Sequence, residues 1–312
     1  AWAATRCLAA QQEDDGDPQA SLRTIETLLG RLHGNDLAGI HLLELHLHRL
    51  QVLMSLGRYS QVVDACSRAQ VLLDRVLPSW GEFFRTTLRL EGAYCAVYLD
   101  PRPETADRLL ESLEPVDLPG TMRFIARSVR GELELTRGNA RTAALIQRVS
   151  LRYAGHWRTI LGSGSQWELY ILSMCLITDV ELSPDEAVEL DADAVRVRAT
   201  SLLRDILSDP APRQRDIPTI MAFVAAIGLS VVAAEDADPD RRAVGAELVA
   251  TALAVGTNQT CRLLSHDYLR SRTERFDARA LAQAEERIRP LDRGELVAHV
   301  ADLAGRLAGE VG

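Results

Sequence analysis

The stretch LGRYSQVVDACSRAQVLLD, from Leu56 to Asp74, contains the features that decide the fold. Apolar residues recur every three or four positions between residues 42 and 56, which predicts an amphipathic helix that Gly57 ends. The next helix is predicted to begin near Tyr59, and its buried face is predicted to carry Val62, Val63, Cys66 and Ala69. Because the connecting turn is so short, the two antiparallel helices must lie close together, and small residues at their crossing allow this approach.

This arrangement returns along the chain. Residues 83–115 and 124–154 repeat the pattern, and the equivalent first-helix positions Leu50, Gly92 and Gly131 are separated by 42 and 39 residues. Further helix pairs are predicted over 166–208 and 219–256. The pattern resembles tetratricopeptide repeats and predicts an all-α fold of antiparallel helix hairpins stacked as a superhelical solenoid. An irregular helical bundle is the alternative.

Segments rich in glycine and proline divide this array. The strongest interruptions are GSGS at 162–165 and SDPAPRQRDIP at 208–218. The second predicts a division into a repeat array at 1–210 and C-terminal repeats with capping helices at 211–312. GSGS lacks the lysine and the spacing of a phosphate-binding loop, and it is interpreted as a turn. The chain begins inside a predicted helix without methionine, and we expect it to be part of a longer protein.

Composition limits the possible partners. The 312 residues carry a net charge of −9, and all 35 basic residues are arginine. An acidic balance argues against direct nucleic-acid binding, which needs a surplus of basic side chains. Five widely spaced cysteines without a CxxC pair indicate buried thiols in a reducing compartment, and we expect a cytoplasmic protein. The apolar segment Ile217–Ala234 is predicted to be a buried helix rather than a membrane span.

The sequence offers little evidence for catalysis. His41, Glu44 and His48 share one helical face and could bind a metal, but the HExxH pattern is absent, and a solvent-facing polar stripe is the preferred interpretation. There is no GxSxG nucleophile motif. We therefore predict a non-enzymatic protein without metal or cofactor.

Repeat arrays of this kind bind partners on the concave face, which the first helix of each pair forms. A peptide or helix could be recognised there by a mixture of charged and aromatic side chains. The candidate residues on this face are Glu44, His48, Gln51, Arg89, Ser128, Glu132, Trp167 and Tyr170.

Residues 215–256 and 280–307 resemble the final repeats of actinobacterial multidomain regulators, the SARP-type activators of antibiotic biosynthesis and the large LuxR-type ATPases. The likeness includes the phrase from Asp238 to Ala243 and the phrase PLDRGELV at 290–297. The resemblance implies a regulatory or sensor domain of a transcriptional regulator. Its partners would be the DNA-binding and ATPase domains of that regulator, or another protein or peptide, with a small-molecule inducer as a further ligand. A free-standing scaffold for protein–protein interaction is the alternative.

Overall fold

The computed structural model describes residues 2–14, 17–32, 39–76, 81–99, 104–113, 120–154, 164–182, 192–208, 217–234, 238–259 and 261–309. These residues form α-helices, turns and one short 3-10 helix, without a β-strand among them, and the predicted all-α class is confirmed. The chain forms two compact units, Ala1–Thr136 and Arg137–Gly312. The division predicted near residue 210 stays a prediction, because residues 209–216 lie outside the described ranges.

The first unit contains seven described helices, each in contact with the next along the chain. They are α1 (Trp2–Asp14), α2 (Pro18–Leu32), α3 (Gly39–Ser55), α4 (Tyr59–Val76), α5 (Gly81–Leu99), α6 (Glu104–Glu111) and α7 (Gly120–Thr136). In addition, α5 packs against both α6 and α7. The predicted helix pairs α3–α4 and α5–α6 are therefore present.

The turn between α3 and α4 has the predicted glycine geometry. Gly57 has a φ of 67°, a left-handed conformation that costs a glycine little. The amide of Arg58 donates to the carbonyl of Leu53 at 2.9 Å, and the amide of Gly57 donates to the carbonyl of Met54 at 2.9 Å. These two hydrogen bonds form a Schellman motif, which ends α3 and lets α4 begin at Tyr59.

The buried face of α4 largely follows the sequence prediction. Val62, Cys66 and Ala69 are buried in the core of the first unit, and Tyr59 packs against that core. The prediction is wrong for Val63, which is 36% exposed. The buried stripe of α4 is centred between Val62 and Ala69, and Val63 lies about 100° around the helix axis from Val62, outside that stripe.

The second unit contains seven further helices among its described residues. They are α8 (Ala140–Ala154), α9 (Gly164–Val180), α10 (Ala192–Ser208), α11 (Ile217–Val232), α12 (Pro239–Val255), α13 (His266–Ile288) and α14 (Arg293–Gly309), with a 3-10 helix at Arg262–Leu264 before α13. Here α14 packs on both α10 and α12. The helices of this unit are therefore not packed in chain order alone.

The apolar segment predicted as a core helix is α11. Every residue from Ile220 to Val232 is buried. It pairs with α12, whose start is capped by Asp238: its carboxylate accepts a hydrogen bond from the amide of Arg241 at 2.8 Å. Within the described residues, no helix combines the length and the apolar character that crossing a membrane requires.

Helix α13 consists of two segments that fold back on each other. Asp277 has non-helical dihedral angles, and its carboxylate caps the second segment by accepting from the amide of Ala280 at 2.8 Å. Arg270 Nη1 lies 2.5 Å from Glu285 Oε1. In a straight helix these residues would be about 22 Å apart, so the chain must reverse at Asp277. The closing helices are therefore not a simple hairpin, since α13 packs mainly on α12 and α14 packs on α10 and α12.

Candidate functional site

The candidate residues on α3 lie in two environments. Gln51 is exposed, and the side chain of Glu44 is 41% exposed, with its carboxylate 3.6 Å from Nδ1 of His41. His48 instead turns towards α1, where its Nε2 lies 2.6 Å from Oε1 of Glu13. The three residues weighed as a metal site are thus not brought together as ligands, since His48 is engaged elsewhere.

Glu13, Ser21 and His48 form a polar cluster that joins α1, α2 and α3. The hydroxyl of Ser21 donates to Oε1 of Glu13 at 2.8 Å, the same oxygen that contacts His48. A serine nucleophile needs a base at its own hydroxyl and access to a substrate. Here Ser21 is fully buried and its proton points at a carboxylate. The cluster therefore joins polar groups of three helices, and burial keeps Ser21 from any substrate.

The remaining candidates of the first unit lie on α5 and α7. Arg89 is half-buried on α5. Ser128 and Glu132 on α7 are each only 1% exposed. The expectation that Glu132 is a surface charge is therefore wrong, and the burial of Ser128 equally removes it from the solvent-facing surface. Sequence periodicity places both residues on the more polar side of α7. Which other elements pack against that side cannot be predicted from the sequence of α7 alone.

Trp167 and Tyr170 belong to the second unit. Both lie on α9, but the side chain of Trp167 is outside the described part of the structure. Tyr170 packs edge-on against Phe223 of α11, with ring centroids 6.1 Å apart. This contact gives Tyr170 a packing role within the unit. The eight candidates are thus divided between two units and include buried side chains, and the exposed surface of α3 retains only Glu44 and Gln51.

A surface that the sequence prediction missed lies on α8. Leu145 and Val149 are 46% and 42% exposed, and Arg141 and Arg152 are exposed beside them. The four residues follow one another at steps of four, four and three, so they share one helical face. We call them the α8 face. The spacing is visible in the sequence, but α8 is the second helix of its predicted pair, and binding is predicted on the first helix of each pair.

The opposite side of α8 explains why this face points outward. Its residues are small or polar and are buried, and α8 packs on α9. These buried residues are Ala140, Ala143, Ala144, Gln147 and Ser150. Because the small side chains permit close packing, the longer leucine and valine are left on the outer side of the helix.

The α8 face is positively charged in an acidic protein. The helix contains arginine but no aspartate or glutamate. Within the described residues, neither Arg141 nor Arg152 forms an ion pair or a hydrogen bond through its side chain. Arg148, at the edge of the face, interacts instead with Asp179 of α9. Two exposed aliphatic side chains between two exposed guanidinium groups can bind a surface that is both apolar and acidic.

The buried cysteines and the ionisable groups that the structure describes form no metal cluster. Among the described residues, no three histidine, cysteine, aspartate or glutamate side chains are grouped so that they could hold a metal ion. Burial raises the pKa of Cys66 and that of Cys175 to about 12. It also raises the pKa of Cys95, which is buried in the same core as Cys66. Thiols in this state are poor nucleophiles at neutral pH.

Thiol labelling is expected to separate Cys7 from the other cysteines. Cys7 is exposed, whereas the other four cysteines are buried. We expect 5,5′-dithiobis(2-nitrobenzoate) to modify one thiol per chain rapidly at pH 7.5 in the native protein, and five in denaturant. Cys7→Ser should remove the rapid phase. Rapid modification of two or more thiols in native Cys7→Ser would contradict the burial of this set.

No protein-family model matches the sequence, and comparison with curated proteins and with solved structures likewise gives no match.

Proposed function

We propose that the chain is a non-enzymatic, tetratricopeptide-like regulatory domain of a multidomain transcriptional regulator. In this proposal it holds the DNA-binding or ATPase domains of that regulator by protein–protein contacts, or responds to a ligand. The helix pairs of the first unit, with the glycine turn at Gly57 and the packing of α5 on α7, support a repeat architecture. The sequence resemblance at 215–256 and 280–307 supports the regulatory role.

The observation that carries the binding role is the α8 face. Exposed aliphatic residues on a helix surface, flanked by arginines that have no side-chain partner among the described residues, are what a protein interface buries: apolar contact at the centre and charge at the rim. The partner that fits is an amphipathic helix with acidic residues beside its apolar stripe, since the four residues follow a helical spacing. Such a helix could belong to the same regulator.

A free-standing interaction scaffold is the second candidate function. The same α8 face favours it, because a scaffold also needs an exposed apolar surface, and nothing in that surface depends on DNA-binding or ATPase domains. The two candidates differ in their consequence for transcription, which gives them separate outcomes in one experiment.

The test replaces the apolar part of the α8 face in the native gene. We expect Leu145→Ser/Val149→Ser to weaken binding of the cross-linked protein partner by at least tenfold. The variant should also change the transcript levels of those genes that respond to deletion of this gene. The matched control is Val63→Ser/Val71→Ser on α4, where both valines are exposed, at 36% and 72%. Both double variants should keep their helical circular dichroism and thermal midpoint, because surface substitutions usually change stability by less than about 0.5 kcal/mol.

Three results decide between the candidates. Altered transcripts in the α8 variant alone support the regulatory domain. Loss of a cross-linked partner without any change in transcripts supports the scaffold. If a folded α8 variant keeps both its cross-linked partners and its transcript profile, the α8 face is not a functional surface and the proposal fails.

A further inference from the structure

A cleft between α1 and α2 of the first unit has a composition unlike the rest of this acidic protein. It has a volume of about 210 Å³ and opens to solvent. Of the described lining residues, one comes from α1 and five come from α2. The described lining residues are Thr5, Arg23, Thr24, Thr27, Leu28 and Arg31. None of these six is acidic, although the chain as a whole carries a net charge of −9.

The two arginines of the cleft are not neutralised. Arg23 and Arg31 are exposed, and within the described residues neither side chain has an ion pair or hydrogen bond. The acidic residue of the same helix, Glu26, is held by Arg49 of α3 at 2.8 Å. Because Glu26 is engaged on that side, the cleft keeps two positive charges and attracts anions.

The spacing of the arginines limits the size of the anion. Arg23, Thr27 and Arg31 lie at steps of four on one face of α2, which puts the two arginine Cα atoms about 12 Å apart. A guanidinium group binds a phosphate or a carboxylate through two parallel hydrogen bonds. The arrangement therefore suits a molecule with an acidic group at each end better than one with a single acidic group.

The threonines between the arginines determine which groups the middle of such a ligand can carry. The hydroxyl of Thr24 donates to Oε1 of Gln12 at 2.9 Å, and the hydroxyl of Thr27 donates to the carbonyl of Arg23 at 2.7 Å. Their protons are thus committed, and the lone pairs of both oxygens can accept from a ligand. Leu28, which is buried, provides an apolar floor.

We propose that this cleft binds a small organic molecule with an anionic group at each end, with its two phosphate or carboxylate groups on Arg23 and Arg31 and with hydroxyl groups between them. The site does not depend on the protein contacts proposed for the α8 face, because it lies in the first unit. Binding can accordingly be measured on the chain alone, whatever the α8 variants show.

Isothermal titration calorimetry with fructose 1,6-bisphosphate tests the proposal at 150 mM NaCl. We expect saturable binding at one site per chain, at least tenfold tighter than that of fructose 6-phosphate, which has one phosphate. Arg23→Gln and Arg31→Gln should each weaken binding about tenfold, since each removes charged hydrogen bonds. Adipate carries two carboxylates and no hydroxyl. Its affinity therefore measures the contribution of the two acidic end groups to binding without that of the hydroxyl groups between them.

The matched control is Arg68→Gln, which removes an exposed arginine from α4 and leaves the cleft intact. It should bind the bisphosphate like the parent chain. Absence of saturable binding by both the bisphosphate and adipate, an equal loss in Arg68→Gln, or equal affinity for the mono- and bisphosphate would each overturn the proposal. Circular dichroism of the three variants checks that they are folded.

Discussion

Replacing Gly228 or Gly245 by alanine is expected to lower the free energy of unfolding by about 3 kcal/mol, because the backbones of α11 and α12 touch at these glycines. A Cβ atom on Gly228 would lie 2.5 Å from the carbonyl oxygen of Gly245. A Cβ atom on Gly245 would lie 2.8 Å from the carbonyl oxygen of Gly228 and 2.9 Å from Cβ of Val231. The obstructing atoms belong to backbone or to a β-branched side chain, so they cannot move aside without separating the helices.

Gly305 provides the matched control within the same unit. It also lies in a helix, α14, but a Cβ atom there would meet no other heavy atom within 4 Å. Gly305→Ala should therefore raise stability by up to about 1 kcal/mol, through helix propensity alone. Urea unfolding followed by circular dichroism measures all three variants. Equal or higher stability of both Gly228→Ala and Gly245→Ala would show that the two helices do not approach so closely.

These glycines show which features of the fold the sequence alone can predict and which it cannot. Helical periodicity and the apolar run were enough to predict α11 and its burial, and the position of Gly57 was enough to predict the turn before α4. The contact of Gly228 with Gly245 could not be predicted in the same way, because it depends on the register in which two helices cross. Periodicity determines which side of a helix is apolar and leaves the register of its neighbour open.

The candidate site was less predictable for a related reason. His48 was assigned to an open face, yet its partner Glu13 lies 35 residues earlier in the chain. Glu132 follows the polar spacing of α7, yet it is buried. Both outcomes depend on which elements pack beside the helix, and that information is not contained in the helix itself. The same holds for the α8 face: the steps of three and four place Leu145 and Val149 on one side of the helix, but their exposure depends on what packs against that side.

Titration of Glu91 is expected to have the second large effect on the free energy of unfolding. The burial of this residue determines the direction of that effect. This residue lies on α5, and Oε2 of its carboxylate is buried without a hydrogen-bond partner among the described residues. Burial raises the pKa of Glu91 from 4.5 to about 7. Between these values the folded chain holds a proton that the unfolded chain has lost. The free energy of unfolding therefore falls as the pH rises from about 4.5 to 7, by about 3 kcal/mol from this group, and stays level above that range.

Glu91→Gln should remove this loss, since glutamine has nearly the same size and does not titrate. We expect the variant to exceed the parent chain in stability by about 2–3 kcal/mol at pH 8, and the difference to disappear near pH 5, where the buried carboxyl is protonated. Urea unfolding at both pH values measures this difference, and the titration of all other groups cancels between the two chains. Glu111→Gln, which removes an exposed carboxylate from α6, is the matched control and should change stability by less than about 0.5 kcal/mol. A difference between Glu91→Gln and the parent chain that is the same at both pH values would mean that Glu91 is ionised in the folded protein throughout, with a partner or with water at its Oε2.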